Sequence, residues 1–181
     1  MALGDTNTIG DVTETLTKLL SGLDVTVDSP SALKGDGEYK KINLYLYQVL
    51  ENPFSKNQPW VTENSGERQY PPLALNLYYL LTPYASDPLS AHKVLSHAMR
   101  ILHDNSIIKG SQLSESLRLT VDQLAICLCP LRLEELTRIW NALQTSYRLS
   151  VSYEVRIVLI ESEIERVMSR VKTKIDVYSQ R

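Results

Sequence analysis

The run Tyr147–Ile160 constrains the fold of this chain more than any other stretch. It places Leu149, Val151, Tyr153, Val155, Ile157 and Leu159 on one parity. Arg148, Ser150, Ser152, Glu154 and Arg156 hold the other, which turns apolar at Val158 and Ile160. A period of two with many β-branched residues is the pattern of a half-buried strand, because successive side chains point to opposite faces. Helical spacing would mix the two sets. At about 3.3 Å per residue the run would span roughly 46 Å, far longer than the usual strand. The apolar end at Val158–Ile160 predicts cover on both faces there, from helices or from another subunit.

Two further strands are expected. Ile42–Leu50 sets Ile42, Leu44 and Leu46 against Asn43, Tyr45, Tyr47 and Val49. Tyrosines on the second set imply that this face is covered too, since the ring seeks burial while the hydroxyl seeks a partner. Leu73–Thr82 follows Pro71-Pro72 and alternates in the same way. The long connection 54–70 between them fits an antiparallel pair, and connections of that length are often functional. Trp60 within it reads equally as a contact residue or as a plug on the core. Val25–Val27 and Leu117–Asp122 are shorter strand candidates.

Helices are expected at three places. From Asp5 to Leu20, Ile9, Val12, Leu16, Leu19 and Leu20 form one apolar stripe, stopped by Gly22. From Pro88 to Asp104, Asp87 is the N-cap and Leu89, His92, Leu95, Met99 and Leu102 are the buried stripe. From Pro130 to Gln144, Leu133, Leu136, Ile139, Trp140 and Leu143 face the core. The fold class is therefore α+β: a mixed, mostly antiparallel sheet flanked by about three helices. Residues 1–162 form the domain and 163–181 a C-terminal β arm. In the arm, 163–168 reads as helical or extended. From Val167 onward Val171, Ile175 and Val177 alternate with Arg170, Lys172 and Lys174, a strand period with a basic edge and no evident partner in its own domain.

Chemistry-bearing patterns are sparse. His92, His97 and His103 fall at steps of five and six, so they do not share a helix face as a metal pair would. Cys127 and Cys129 flank Leu128; a bridge between them is geometrically unfavourable, and two sulfurs alone make a poor metal site. They read as small apolar residues of a reduced compartment. No nucleophile elbow, phosphate loop or dinucleotide fingerprint is present. No cofactor is expected, and the inventory argues against an enzyme. A net charge of −2 gives no global footprint for nucleic acid. No apolar run approaches a membrane span, and Met1–Asp5 does not resemble a secretory signal, so synthesis in the cytoplasm is expected. Charge is unevenly spread: residues 1–40 carry a net −4 and residues 163–181 a net +2. The two ends can support head-to-tail contacts or stand as solvated termini.

Five blocks carry a resemblance: Leu44–Pro53, Pro71–Thr82, Ala91–Asn105, Leu133–Leu143 and Tyr147–Tyr153. In this order and with these gaps they resemble the N-terminal domain of cap, or tail-terminator, proteins of extracellular contractile injection systems of the antifeeding-prophage and Photorhabdus virulence cassette type. The likeness covers about residues 8–160. It implies a structural protein: a homohexameric ring that ends the inner tube and binds the last sheath layer, within a phage-tail-like particle that is released or anchored. It also implies a tail-terminator-like mixed sheet. On this reading Trp60, Arg68 and Tyr70 are contacts to the tube protein or a neighbouring subunit. Val167, Arg170, Val171, Lys172, Lys174, Ile175 and Val177 are contacts to the sheath protein, made by strand addition. Neither nucleic acid nor direct membrane insertion is expected. The alternatives are a small hydrolase or ligand-binding module built on Tyr45, Tyr47, His92 and His103, and an assembly chaperone absent from the mature particle.

Overall fold

The computed structural model describes residues 7–33, 41–55, 61–62, 67–160, 162 and 165–167. In chain order these form α1 (Thr8–Leu19), β1 (Asp24–Thr26), β2 (Lys41–Glu51), β3 (Val61–Thr62), β4 (Glu67–Gln69), β5 (Leu73–Tyr84), α2 (Pro88–Asp104) and β6 (Ile107–Lys109). Then follow α3 (Glu115–Thr120), β7 (Gln123–Cys129), α4 (Leu133–Ala142), β8 (Val151–Ile160) and β9 (Glu165–Val167). Six strands make one sheet in the order β1-β2-β5-β8-β7-β6. Among the described residues only the β1–β2 pair is parallel. The mixed, mostly antiparallel α+β architecture expected from the sequence is present, with four α-helices among the described residues where about three were expected.

The apolar parities of β2, β5 and β8 make one sheet face the main core. Ile42, Leu44, Leu77, Tyr79, Leu81, Tyr153 and Val155 pack there against Val12, Leu16 and Leu20 of α1 and Val94, Leu95, Ala98 and Leu102 of α2. Leu117 of α3 and Leu124 and Ile126 of β7 close the same cluster. Helix α2 begins as expected, with the Asp87 carboxylate accepting from the Ser90 N–H at 2.9 Å. Its buried stripe is rotated from the expected one: Val94 and Ala98 are inside, whereas Leu89 and His92 are exposed.

Two register shifts organise the sheet. Leu77 faces Val155 but Leu75 faces Val158, so Arg156 and Ile157 together oppose Asn76. One extra residue exchanges the two parities of β8. That is why Val158 joins the same core as Val155, and the expected cover on both faces is not needed to explain its apolar end. On β2 the extra residue is Tyr47, between the Leu46–Tyr79 and Gln48–Tyr78 pairs. Strand β8 itself starts only at Val151. Before it, Tyr147 turns its ring edge-on to Trp140 at 6.3 Å and Arg148 stacks over Tyr84 at 4.9 Å.

Residues 117–122 are not a strand. Ser114 caps α3 by accepting from the Leu117 N–H, Leu117 and Val121 are buried, and Leu119 between them is 80% exposed. The connection 54–70 is not bare loop either. It contains the antiparallel β3–β4 pair, and β9 adds to β4 in a second, three-stranded sheet.

Candidate functional site

The second face of the main sheet is covered differently. Helix α4 lays Leu136 and Trp140 on Leu80, with Tyr47 alongside. The Trp140 indole donates to Ser150 Oγ at 3.1 Å, and the Tyr47 hydroxyl meets Ser152 Oγ at 2.9 Å. Burial raises the Tyr47 pKa, and burial likewise raises that of the Cys129 thiol.

Beyond the reach of α4 the same face turns polar. Glu154, only 6% exposed, accepts at Oε1 from Asn76 Nδ2 at 2.8 Å and from the Tyr78 hydroxyl at 2.9 Å. Its Oε2 accepts from Nε of Arg156 at 2.7 Å and lies 2.7 Å from that guanidinium's Nη2. Asn76 in turn accepts from Asn52 Nδ2 at 3.0 Å, and Asn52 Oδ1 accepts from the Phe54 N–H at 2.9 Å. This chain of bonds ties β8 through β5 to the turn that ends β2. Burial and then the bond to Glu154 raise the Tyr78 pKa, and the Glu154 bond raises that of Arg156. A solvent-open cavity of about 510 Å³ lies over the network, with Leu50, Pro53 and Phe54 on its rim. Both Glu154 oxygens are engaged by internal donors, so the arrangement fixes the sheet end rather than presenting an acid or a base.

That sheet end is also where exposed apolar side chains gather. Phe54 is 95% exposed, and Val49, Leu50, Tyr70 and Leu73 are each exposed by between 40% and 47%. β-Pairing places them together: Leu50 faces Asn76, the Asn52 N–H bonds the Ala74 carbonyl at 2.8 Å, and Leu73 faces Ile160. Tyr70 sits just before β5, where the sequence reading placed a contact residue. Arg68 lies in β4 with its backbone paired to Arg166 of β9. Val167 is in β9, paired with Glu67, so the start of the arm has a partner in its own chain, contrary to expectation. Trp60, Arg170, Val171, Lys172, Lys174, Ile175 and Val177 lie outside the described residues. The sequence reading missed Phe54, Leu50 and the Glu154 network; an apolar residue directly after Asn52-Pro53 was the available signal.

The alternative ligand site does not assemble. Tyr47 is on the second face, whereas His92 and His103 are exposed on α2, which packs on the first. Among the described residues no three His, Cys, Asp or Glu side chains cluster as a metal site would need. No helix of the described residues is long and apolar enough to cross a membrane.

A family model described as the Pvc16 N-terminal domain matches residues 11–173. The chain belongs to that family. The resemblance read from the five sequence blocks holds. No curated protein matches the sequence significantly. Among solved structures, this Pvc16 N-terminal domain is similar to the sheath/tube terminator of a PVC extracellular contractile injection system in its extended state. The TM-score is 0.69 at 17% identity, over 98% of this chain and 65% of that one. It is also similar to the tube-terminating cap of the anti-feeding prophage, with TM-score 0.64 at 17% identity, over 97% of this chain and 62% of that one. The chain thus spans a little under two thirds of the length of either protein.

Proposed function

We propose that this Pvc16-type domain serves as a structural cap of a contractile injection system: it ends the inner tube and contacts the last sheath layer. The observation that carries this reading is the shared fold over nearly the whole chain with a sheath/tube terminator and with a tube-terminating cap, together with family membership. The reading includes a homohexameric ring, assembly in the cytoplasm and no catalytic activity. The engaged state of Glu154 and the separation of the histidines from the tyrosines support a structural rather than a hydrolytic role. The exposed sheet end, with Phe54, Leu50 and Tyr70, is the surface offered to the tube or to a neighbouring subunit; apolar and aromatic anchors of this kind carry most interface energy.

The test is the mass of the purified chain by light scattering after size exclusion, with and without the tube protein. A closed species near six times 20.5 kDa in either condition is expected. A monomer that ignores the tube overturns the reading. Electron microscopy of particles made without this chain should show tubes of uncontrolled length. Tubes of normal length with the chain absent from mature particles would favour an assembly chaperone instead.

A further inference from the structure

Exposed apolar side chains gather at both ends of the main sheet. One end carries Leu50, Phe54, Tyr70 and Leu73, exposed by between 45% and 95%. The other lies where β7 stops and β8 begins. There Leu128, Leu133, Tyr147 and Leu149 are exposed by between 45% and 65%. Leu128 is next to the last residue of β7 and pairs with Tyr153. Leu133 opens α4, and Tyr147 and Leu149 lead from α4 into β8. Pairing sets Cys129 beside Ser152 at this end and Ile160 beside Leu73 at the opposite one. The two ends are thus about 30 Å apart along β8, and the bonded sheet keeps them from meeting within one chain. Among the described residues the other exposed apolar side chains, Val27, Leu89, Ile107 and Leu119, come singly from four different segments.

The size of each end matters. Taking about 200 Å² for a large side chain in the open, each offers roughly 400–550 Å² of apolar surface. That is the scale at which a patch marks an interaction site. With a polar rim it approaches the roughly 800 Å² per partner of a stable interface. The rims carry both signs, Arg132 and Glu134 at one end and Glu51 and Arg156 at the other, all exposed, so neither end repels the other.

We infer that the Leu50–Phe54 end of one copy packs on the Leu133–Leu149 end of the next. Equivalent copies around a six-fold axis need two different patches on each subunit, because the contact must be head-to-tail. This domain has two, of like chemistry and on opposite ends of one sheet. The inference rests on the ring proposed above and assigns the exposed sheet end to the neighbouring copy rather than to the tube.

Mixed variants test it. Phe54→Asp blocks one end; Leu133→Asp with Leu149→Asp blocks the other. Far-UV circular dichroism checks that both stay folded. Should the double variant unfold, Leu133→Asp alone decides, since an acid in the first turn of a helix is favoured. Light scattering is run in the condition in which the wild-type chain forms its ring. Each variant alone is expected to stay a single chain of 20.5 kDa. An equal mixture is expected to form a two-chain species and nothing larger, because one good contact remains and both outer ends are blocked. A ring that survives in either variant, or variants that stay apart on mixing, overturns the inference and leaves the ring reading standing. So does a two-chain species formed by one variant alone, which marks a symmetric contact. So does a Phe54→Asp chain that keeps its ring but no longer holds the tube. A wild-type chain that stays monomeric even on the tube removes the ring reading itself, and this inference with it.

Discussion

The two faces of the main sheet are built to different rules. The first is a continuous apolar core under three helices, α1, α2 and α3. The second carries one helix, the small Leu80–Leu136–Trp140 cluster, and then the hydrogen-bonded line Asn52–Asn76–Glu154–Arg156. The apolar face supplies most of the stability, since burial of each large aliphatic side chain contributes about 1.5–3 kcal/mol. The polar line supplies direction: it fixes the turn after β2 and so presents Leu50 and Phe54. A protein that works by being docked against needs both, a core that does not yield and an apolar end that stays exposed without collapsing inward.

The sharpest break of this comparison is a matched pair on one strand. Leu77 and Leu80 are both fully buried in β5, one on each face. Leu77→Ala leaves a void walled by several elements that cannot all relax, and about 3–5 kcal/mol of stability should be lost; Leu80→Ala, under a single helix free to settle, should cost about 2–3 kcal/mol. Urea titrations of the two variants decide it. Equal losses would mean that the second face is as much core as the first.

The next effect is one of pH. Tyr79 is fully buried in the first-face core, its hydroxyl 2.8 Å from Thr13 Oγ1, and burial pushes its pKa up to about 12. The folded state holds this proton more tightly than the unfolded state, where the group titrates near 10. The stabilisation is therefore complete below pH 10 and is lost as pH rises from 10 to 12. It amounts to roughly 2–3 kcal/mol. Tyr47, Tyr78, Tyr84 and Tyr153 shift in the same direction. Thermal melts should fall steeply across that window and less steeply in Tyr79→Phe. Matching slopes would show that Tyr79 is not the dominant proton.

How far the sequence shows this contrast varies by element. Strands β2, β5 and β8 and helices α1, α2 and α4 are legible, because each is long enough for its period to repeat several times. Helix α3 is not: Leu117, Leu119 and Val121 alternate as in a strand, yet Leu117 and Val121 also stand four apart, and six residues cannot separate the two periods. Ser114, its N-cap, was the signal that could have decided it. Strand β7 was hidden because its inward alternation has only two members, Leu124 and Ile126, and Leu128 at the next position of that parity is half exposed. Of the site, Tyr70 was legible as an exposed aromatic beside a long connection. The Glu154 network was not. The β8 bulge depends on the partner strand, and no local pattern reports that Asn76 and Tyr78 will converge on a residue some 76 positions away.

Glu154→Ala sharpens the role given to the polar line. It strands the Asn76 amide and the Tyr78 hydroxyl without their acceptor, while Arg156, about half exposed, regains water. Hydrogen bonds to a charged acceptor contribute about 1.5–3 kcal/mol, so a loss of about 2 kcal/mol is expected, and Glu154→Gln should recover part of it. Amide exchange at Phe54 should accelerate in the alanine variant, because the Asn52–Asn76 link loses its anchor. Unchanged protection there would separate the network from the turn it is said to hold.

The smallest expected effect probes a defect shared by the strands themselves. Asn43 and Thr82 face each other across β2 and β5 and are fully buried. Asn43 Nδ2 donates to the Thr26 and Asp28 carbonyls, but Asn43 Oδ1 and Thr82 Oγ1 have no partner. A buried hydroxyl without a partner forfeits its hydration and gains nothing in return. Thr82→Val keeps the shape and removes that atom, so stability should rise by up to about 1 kcal/mol or stay level, whereas Asn43→Leu should destabilise by breaking the two good bonds. A loss in Thr82→Val measured by denaturant midpoint would reveal that the hydroxyl is satisfied in solution, and the second face would then hold an ordered water between Asn43 and Thr82.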